Sequence, residues 1–131
     1  MDRSSTLRPA ALVGAGAALG ALARWSIAEL IDADLARIPW ETLLVNVVGC
    51  LAIGVAAMRL EPGSDRWAFL VTGVLGGFTT FSTFANETRV LIDDGRTTTA
   101  VCYVVITVLA GLAAVSLGRW RTPPSAKRAD R

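Results

Sequence analysis

The residues best placed to do chemistry lie together in one fifteen-residue stretch, Gly73 to Glu87, GVLGGFTTFSTFANE. It holds three glycines, four hydroxyl side chains and three phenylalanines, inside the third of four apolar segments. Hydrocarbon requires every backbone N–H and C=O to be paired, so irregular chain at that depth survives only inside protein or beside a wet cavity. Polar groups placed there mark a pathway for a solute. Thr79, Ser82 and Thr83 fall at i, i+3 and i+4, so in a helix they share a face, as caps of a break or as donors to a passing anion. Phe78, Phe81 and Phe84 recur every third residue. Simple packing accounts for such a row; a sharper reading uses the positive ring edges to steady a small bare anion. The adjacent Gly76 and Gly77 are poor helix-interior residues and predict the break at that point. A broken membrane helix exposes carbonyls able to hold a cation such as Na⁺.

Other polar residues inside apolar segments extend the set. Asn46 stands within LLVNVVGCLAIG; its amide would bond a neighbouring helix or offer two N–H donors to an anion. Arg24, followed by Trp25 and Glu29, lies short of the end of the first segment. It is either an arginine snorkelling to the interface or a cation at the mouth of an anion path. Tyr103 and Thr107, four apart, share a face that would meet the third helix. Glu87 and Arg89, near the far interface, are most simply surface or vestibule charges.

These groups need apolar scaffolding, and the chain supplies it. Of 131 residues, 53% are hydrophobic and 18% charged, with a mean hydropathy of +0.50, which points to a membrane class. The sequence predicts an all-α protein of four transmembrane helices at about 9–31, 41–58, 67–92 and 99–118, the third broken near its middle. Residues 1–8 form a polar lead and 119–131 a basic tail expected to be disordered. Gly16 and Gly20, and again Gly73 and Gly77, have the spacing that lets helices approach closely. Trp40, Trp67 and Trp120 fall at segment ends and form an interfacial belt. The first apolar run has no convincing cleavage site, and three more spans follow it, so no signal peptide is expected.

Composition also narrows the function. A net charge of +2 is too small to suggest nucleic acid. There is no histidine, no nucleophile–base pair and no phosphate-binding glycine loop, so no enzyme is expected. Cys50 and Cys102 lie in apolar segments and read as small packing residues. Four spans place both termini on one side. With them lie Arg3, Arg8, Arg59, Arg66, Arg119, Arg121, Lys127, Arg128 and Arg131, nine against the four of Arg24, Arg37, Arg89 and Arg96. The bias favours cytoplasmic termini in the plasma (inner) membrane.

Taken together, the motifs GALARW, LLVNVVGCLAIG and GVLGGFTTFSTFANE, with a DDGR turn leading into a helix that carries Tyr103, make the chain resemble the Fluc (CrcB) fluoride channel family over nearly its whole length. The resemblance implies an antiparallel, dual-topology dimer with two fluoride pores and a structural Na⁺ at its centre. It implies Na⁺ ligation by the backbone carbonyls of Gly76 and Thr79. The fluoride pore would be lined by Asn46, Phe81, Phe84, Ser82, Thr83, Tyr103 and Thr107, with Arg24 and Glu87 in the vestibule. The chain departs from the family where a longer row of hydroxyls is usual: after Thr107 come Gly111 and Val115. The expected partners are fluoride, the bilayer, and a second copy or an oppositely oriented homologue. The alternatives are a four-helix multidrug exporter, which needs a carboxylate deep in the first span where none precedes Glu29, and a non-conducting membrane assembly protein, which gives no reason for a polar break.

Overall fold

A computed structural model describes residues 3–30 and 38–123, with side chains from Leu7 onward. The sequence's expectations for the loop at 32–37 and for the tail beyond Pro123 lie outside the described residues. Helix α1 runs Arg3–Leu30 and α2 runs Trp40–Arg59. The third span is helical over residues 65–78 (α3), passes through Thr79 and Thr80, and resumes as α4, Phe81–Asp93. Helix α5 runs Thr97–Arg121. Four of these segments, Leu7–Leu30, Trp40–Arg59, Asp65–Asp93 and Thr97–Arg121, are long and apolar enough to cross a bilayer. This is a multi-pass membrane protein. Helix begins at Arg3, within the stretch read as a polar lead, and α5 runs to Arg121, past the expected end at 118.

Local chemistry sets the turns. Helix α2 carries Glu41 in its first turn and Arg59 in its last, both favourable in the field of the helix dipole. Gly63, at φ +83°, turns the chain, and Ser64 Oγ accepts from Trp67 N at 3.2 Å to cap α3. Within α3 the winding widens from Ala68 to Leu75 into a π-type helix, rare in proteins and frequent at functional sites. Gly95, at φ +74°, allows the tight turn between α4 and α5.

Two close pairs build the bundle, α1 with α3 and α2 with α5. In the first, Gly16 and Gly20 face Gly73 and Gly77. A Cβ added at Gly16 would overlap the Phe69 carbonyl oxygen, and one at Gly77 would overlap the Ala17 carbonyl oxygen. In the second, Gly54 and Gly118 meet, and a Cβ on Gly54 would lie 3.1 Å from Gly118 Cα. Without a hydrophobic drive between helices in lipid, such backbone proximity supplies the dispersion that holds them. Helix α4 joins the second pair through a small core of Leu91, Ala100 and Tyr103, with Ile38, Leu43 and Phe84 against it. Most large apolar side chains point outward: Leu22, Leu109 and Leu112 are each about 60% exposed, as lipid-facing residues should be.

Candidate functional site

The break in the third span falls at Thr79 and Thr80, not at the paired glycines. Gly76 is helical, at φ −66° and ψ −34°, whereas Thr79 and Thr80 are extended at ψ 156° and 122°. The expectation of a break at Gly76–Gly77 is therefore corrected. These glycines serve proximity, since Gly77 presses on Ala17 of α1. The chain opens two residues later, where other groups compete for the helix's own hydrogen bonds.

Asn46 of α2 is the chief competitor. Its Nδ2 donates to the Thr80 carbonyl at 3.0 Å, and its Oδ1 accepts from the Thr80 N–H at 2.9 Å. In an unbroken helix that N–H would close onto Gly76. Thr80 Oγ1 accepts from Thr83 N at 3.1 Å, which caps α4 and diverts the N–H that would have closed onto Thr79. The carbonyls of Gly76 and Thr79 thus both lose their helical partners. The opposite wall of the break is Gly49, where a Cβ would overlap Thr79 Cγ2.

The hydroxyl cluster differs from the one expected from helical spacing. Thr79 Oγ1 turns back to the Leu75 carbonyl at 2.9 Å. Thr80 takes its place, bonding Thr83 Oγ1 at 2.9 Å and lying 3.3 Å from Ser82 Oγ. The sequence reading passed over Thr80, which is buried; its position as a threonine opening a new helix was the available signal. The break also separates Phe78 from the other two rings. Phe81 and Phe84 lie 6.0 Å apart between centroids, and Phe84 and Tyr103 lie 5.2 Å apart, a chain of tilted aromatic pairs. Phe81 is 80% exposed on the outer surface of the chain.

Glu87 is not a free interfacial charge. It is partly buried, with Thr42 Oγ1 donating to Oε1 at 2.8 Å and Tyr103 OH donating to Oε2 at 2.7 Å. These bonds tie α2, α4 and α5 together, so Tyr103 meets the third span as its position predicts. Arg89 stays on the surface, paired with Asp93 and Asn86. Thr107 is buried, and its Oγ1 has no hydrogen-bond partner among the described residues. One turn on, Gly111 is covered by Cys50, whose Sγ would lie 3.3 Å from an added Cβ. Both cysteines are free.

Arg24 reaches inward. Its Nε donates to the Gly77 carbonyl at 3.3 Å, and it lines a half-open cavity of about 50 Å³ with Ala28, Glu41, Thr42, Val45, Thr80 and Thr83. Room for a few water-sized particles, beside a guanidinium and three threonine hydroxyls and with one carboxylate in the wall, suits a small anion. The structure therefore gathers Arg24, Asn46, Ser82, Thr83, Phe84, Glu87 and Tyr103 around the break. It leaves Phe81 facing outward and Thr107 deeper along α5.

Residues 11–119 match the family model described as "CrcB-like protein, Camphor Resistance (CrcB)". The chain is 41% identical to "Fluoride-specific ion channel FluC 2" of Nocardia farcinica, covering 92% of this chain and 93% of the relative. It is 45% identical to "Fluoride-specific ion channel FluC" of Paracoccus denitrificans, covering 81% and 87%. It is also 45% identical to "Fluoride-specific ion channel FluC 1" of Mycobacterium bovis, covering 84% and 86%. With a family match across nearly the whole bundle and relatives at this identity over more than four-fifths of its length, the chain belongs to the CrcB family.

Proposed function

We propose that the protein is a passive, fluoride-selective channel that exports the anion from the cytoplasm across the inner membrane. The observation that carries this reading is the break at Thr79–Thr80. A lipid-spanning helix is held open there by an asparagine amide and lined by hydroxyls, in a chain whose relatives are named fluoride-specific ion channels. Fluoride enters a cell as the neutral acid and ionises in the less acidic interior. A membrane potential, inside negative, then drives the anion out with about 2.3 kcal/mol per charge per 100 mV.

In this mechanism Arg24 concentrates the anion at the cavity. Asn46 keeps one Nδ2 N–H after bonding Thr80 and offers it to fluoride, as Ser82 and Thr83 offer hydroxyls. Phe81 and Phe84 present ring edges, and Tyr103 and the buried Thr107 hydroxyl continue the polar route. Glu87, held by Thr42 and Tyr103, positions that wall. Narrow walls and donors matched to a small, strongly accepting anion give selectivity.

The donor set of the break also fits a structural Na⁺. The carbonyls of Gly76 and Thr79 are released from the helix ladder and are hard oxygen ligands of the kind discontinuous helices offer to Na⁺. When bound, the ion fixes the break and adds positive potential beside it.

The functional unit is an antiparallel dimer, which covers outward aromatic surface such as Phe81. The arginine and lysine bias of nine to four favours one insertion direction, so the partner is an oppositely oriented homologue rather than a second copy. A reporter fused to the C-terminus tests this; equal signal from the two sides of the membrane rejects it. For the channel itself, the protein reconstituted with its homologous partner in liposomes should release fluoride to an electrode without releasing chloride, and Na⁺ removal should abolish the flux. Chloride release at a comparable rate, or no fluoride release in the presence of Na⁺ and a homologous partner, would reject the reading.

A further inference from the structure

The cavity beside the break carries a charge that the pathway does not use. Arg24 lines it from α1, Thr80 and Thr83 from the break, and Glu41 from the first turn of α2. Glu41 is half-buried, and among the described residues no ion pair joins it to Arg24, although the two share the cavity. Its neighbour Thr42 donates to Glu87, which in turn accepts from Tyr103. The charged or titratable groups around it are thus the Arg24 guanidinium from α1, the Glu87 carboxylate from α4 and the Tyr103 phenol from α5. A carboxylate in the first turn of a helix is favourable for folding. That does not explain why one should line the cavity whose arginine and hydroxyls suit an anion.

We infer that Glu41 sets the rate of anion entry: its fixed negative charge offsets Arg24 and holds down the local fluoride concentration at the mouth of the break. The inference rests on the fluoride-channel reading. In a cleft with low-dielectric walls the local ion concentration follows the summed field of the fixed charges. A cavity of about 50 Å³ is only a few ångströms across. An ion within it is therefore well inside the screening length of about 10 Å at 0.1 M salt. Removing the carboxylate leaves Arg24 unopposed there, and the donors deeper in the break untouched.

The test uses the full-length protein, reconstituted with its homologous partner, in liposomes with Na⁺ present throughout. Initial fluoride efflux is measured against fluoride concentration at low and high ionic strength, the latter set with an impermeant salt. Glu41→Gln should raise efflux about two- to fivefold at sub-saturating fluoride and low salt. The saturated rate should change far less, and the excess should shrink as salt is added. Glu41→Asp, which keeps the charge, should follow the unsubstituted protein. The inference is overturned if Glu41→Gln matches or falls below the unsubstituted protein at low fluoride. It is equally overturned if the excess is insensitive to salt, or if Glu41→Asp rises with Glu41→Gln, since shape and not charge would then be responsible. Failure of the channel reading looks different: fluoride efflux is absent from all three proteins.

Discussion

At the scale of single residues, Asn46 and Thr107 make opposite demands on the fold. Asn46 satisfies two backbone groups at once, so Asn46→Ala orphans both in the part-buried break at about 1–3 kcal/mol each. A lower thermal midpoint in detergent is expected, with fluoride flux down about tenfold or more, since about 1.4 kcal/mol is a factor of ten. Thr107 presents a buried hydroxyl with no partner among the described residues, a cost that none of them repays. Thr107→Val keeps the shape and removes that cost. It should raise stability by about 1 kcal/mol while lowering flux in the same preparation; stability and flux moving together would remove Thr107 from the pathway. Asn46 could be singled out from the sequence because a lone amide in an apolar run has few uses. Thr80 was legible only as a threonine able to open a new helix; its bond to Asn46 was not, because that bond uses a peptide N–H and C=O, which every residue but proline carries.

At the scale of elements, the paired spacings of Gly16 with Gly20 and Gly73 with Gly77 were legible, and they do meet. The position of the break was not. Glycine's helix penalty of about 1 kcal/mol is smaller than the cost of leaving backbone groups unpaired in lipid, so the helix runs through Gly76 and Gly77. It opens only where Asn46 and the Thr80 hydroxyl supply replacement partners, and those partners lie 34 residues away in one case and within the cap in the other. A helical-wheel projection across that break also misaligns the hydroxyl face, which is why Thr79 was expected where Thr80 stands. The proximity role predicts a sharp contrast. Gly20→Ala or Gly77→Ala drives a methyl into backbone and should cost about 1–3 kcal/mol or more. Gly14→Ala, with nothing within 4 Å of the new Cβ, should be neutral or stabilising by about 0.5–1 kcal/mol. Denaturation midpoints of the three variants in one detergent would show it.

At the scale of the whole molecule, apolar surface is in excess. Leu109, Leu112, Trp25 and Phe81 are all more exposed than covered, and water would charge about 1.5–3 kcal/mol for each large side chain left so. Acyl chains cover most of this surface, and the dimer proposed above would cover the rest. The complex extracted in mild detergent is therefore expected at the summed mass of two chains, this one of 13.8 kDa and its homologue, once the detergent contribution is subtracted; a single-chain mass in an active preparation would refute the dimer. Four apolar spans could be counted from composition alone. Which faces meet a partner could not, because lipid and a second membrane protein make nearly the same demand on a side chain.

Asn46 grips main-chain atoms of Thr80, and this has a genetic corollary. A side-chain-to-side-chain bond lost at one codon can be restored by a compensating change at the other, but a peptide group has no codon of its own to mutate. Under fluoride selection, suppressors of Asn46→Ala should restore an amide at residue 46, and none should arise at position 80.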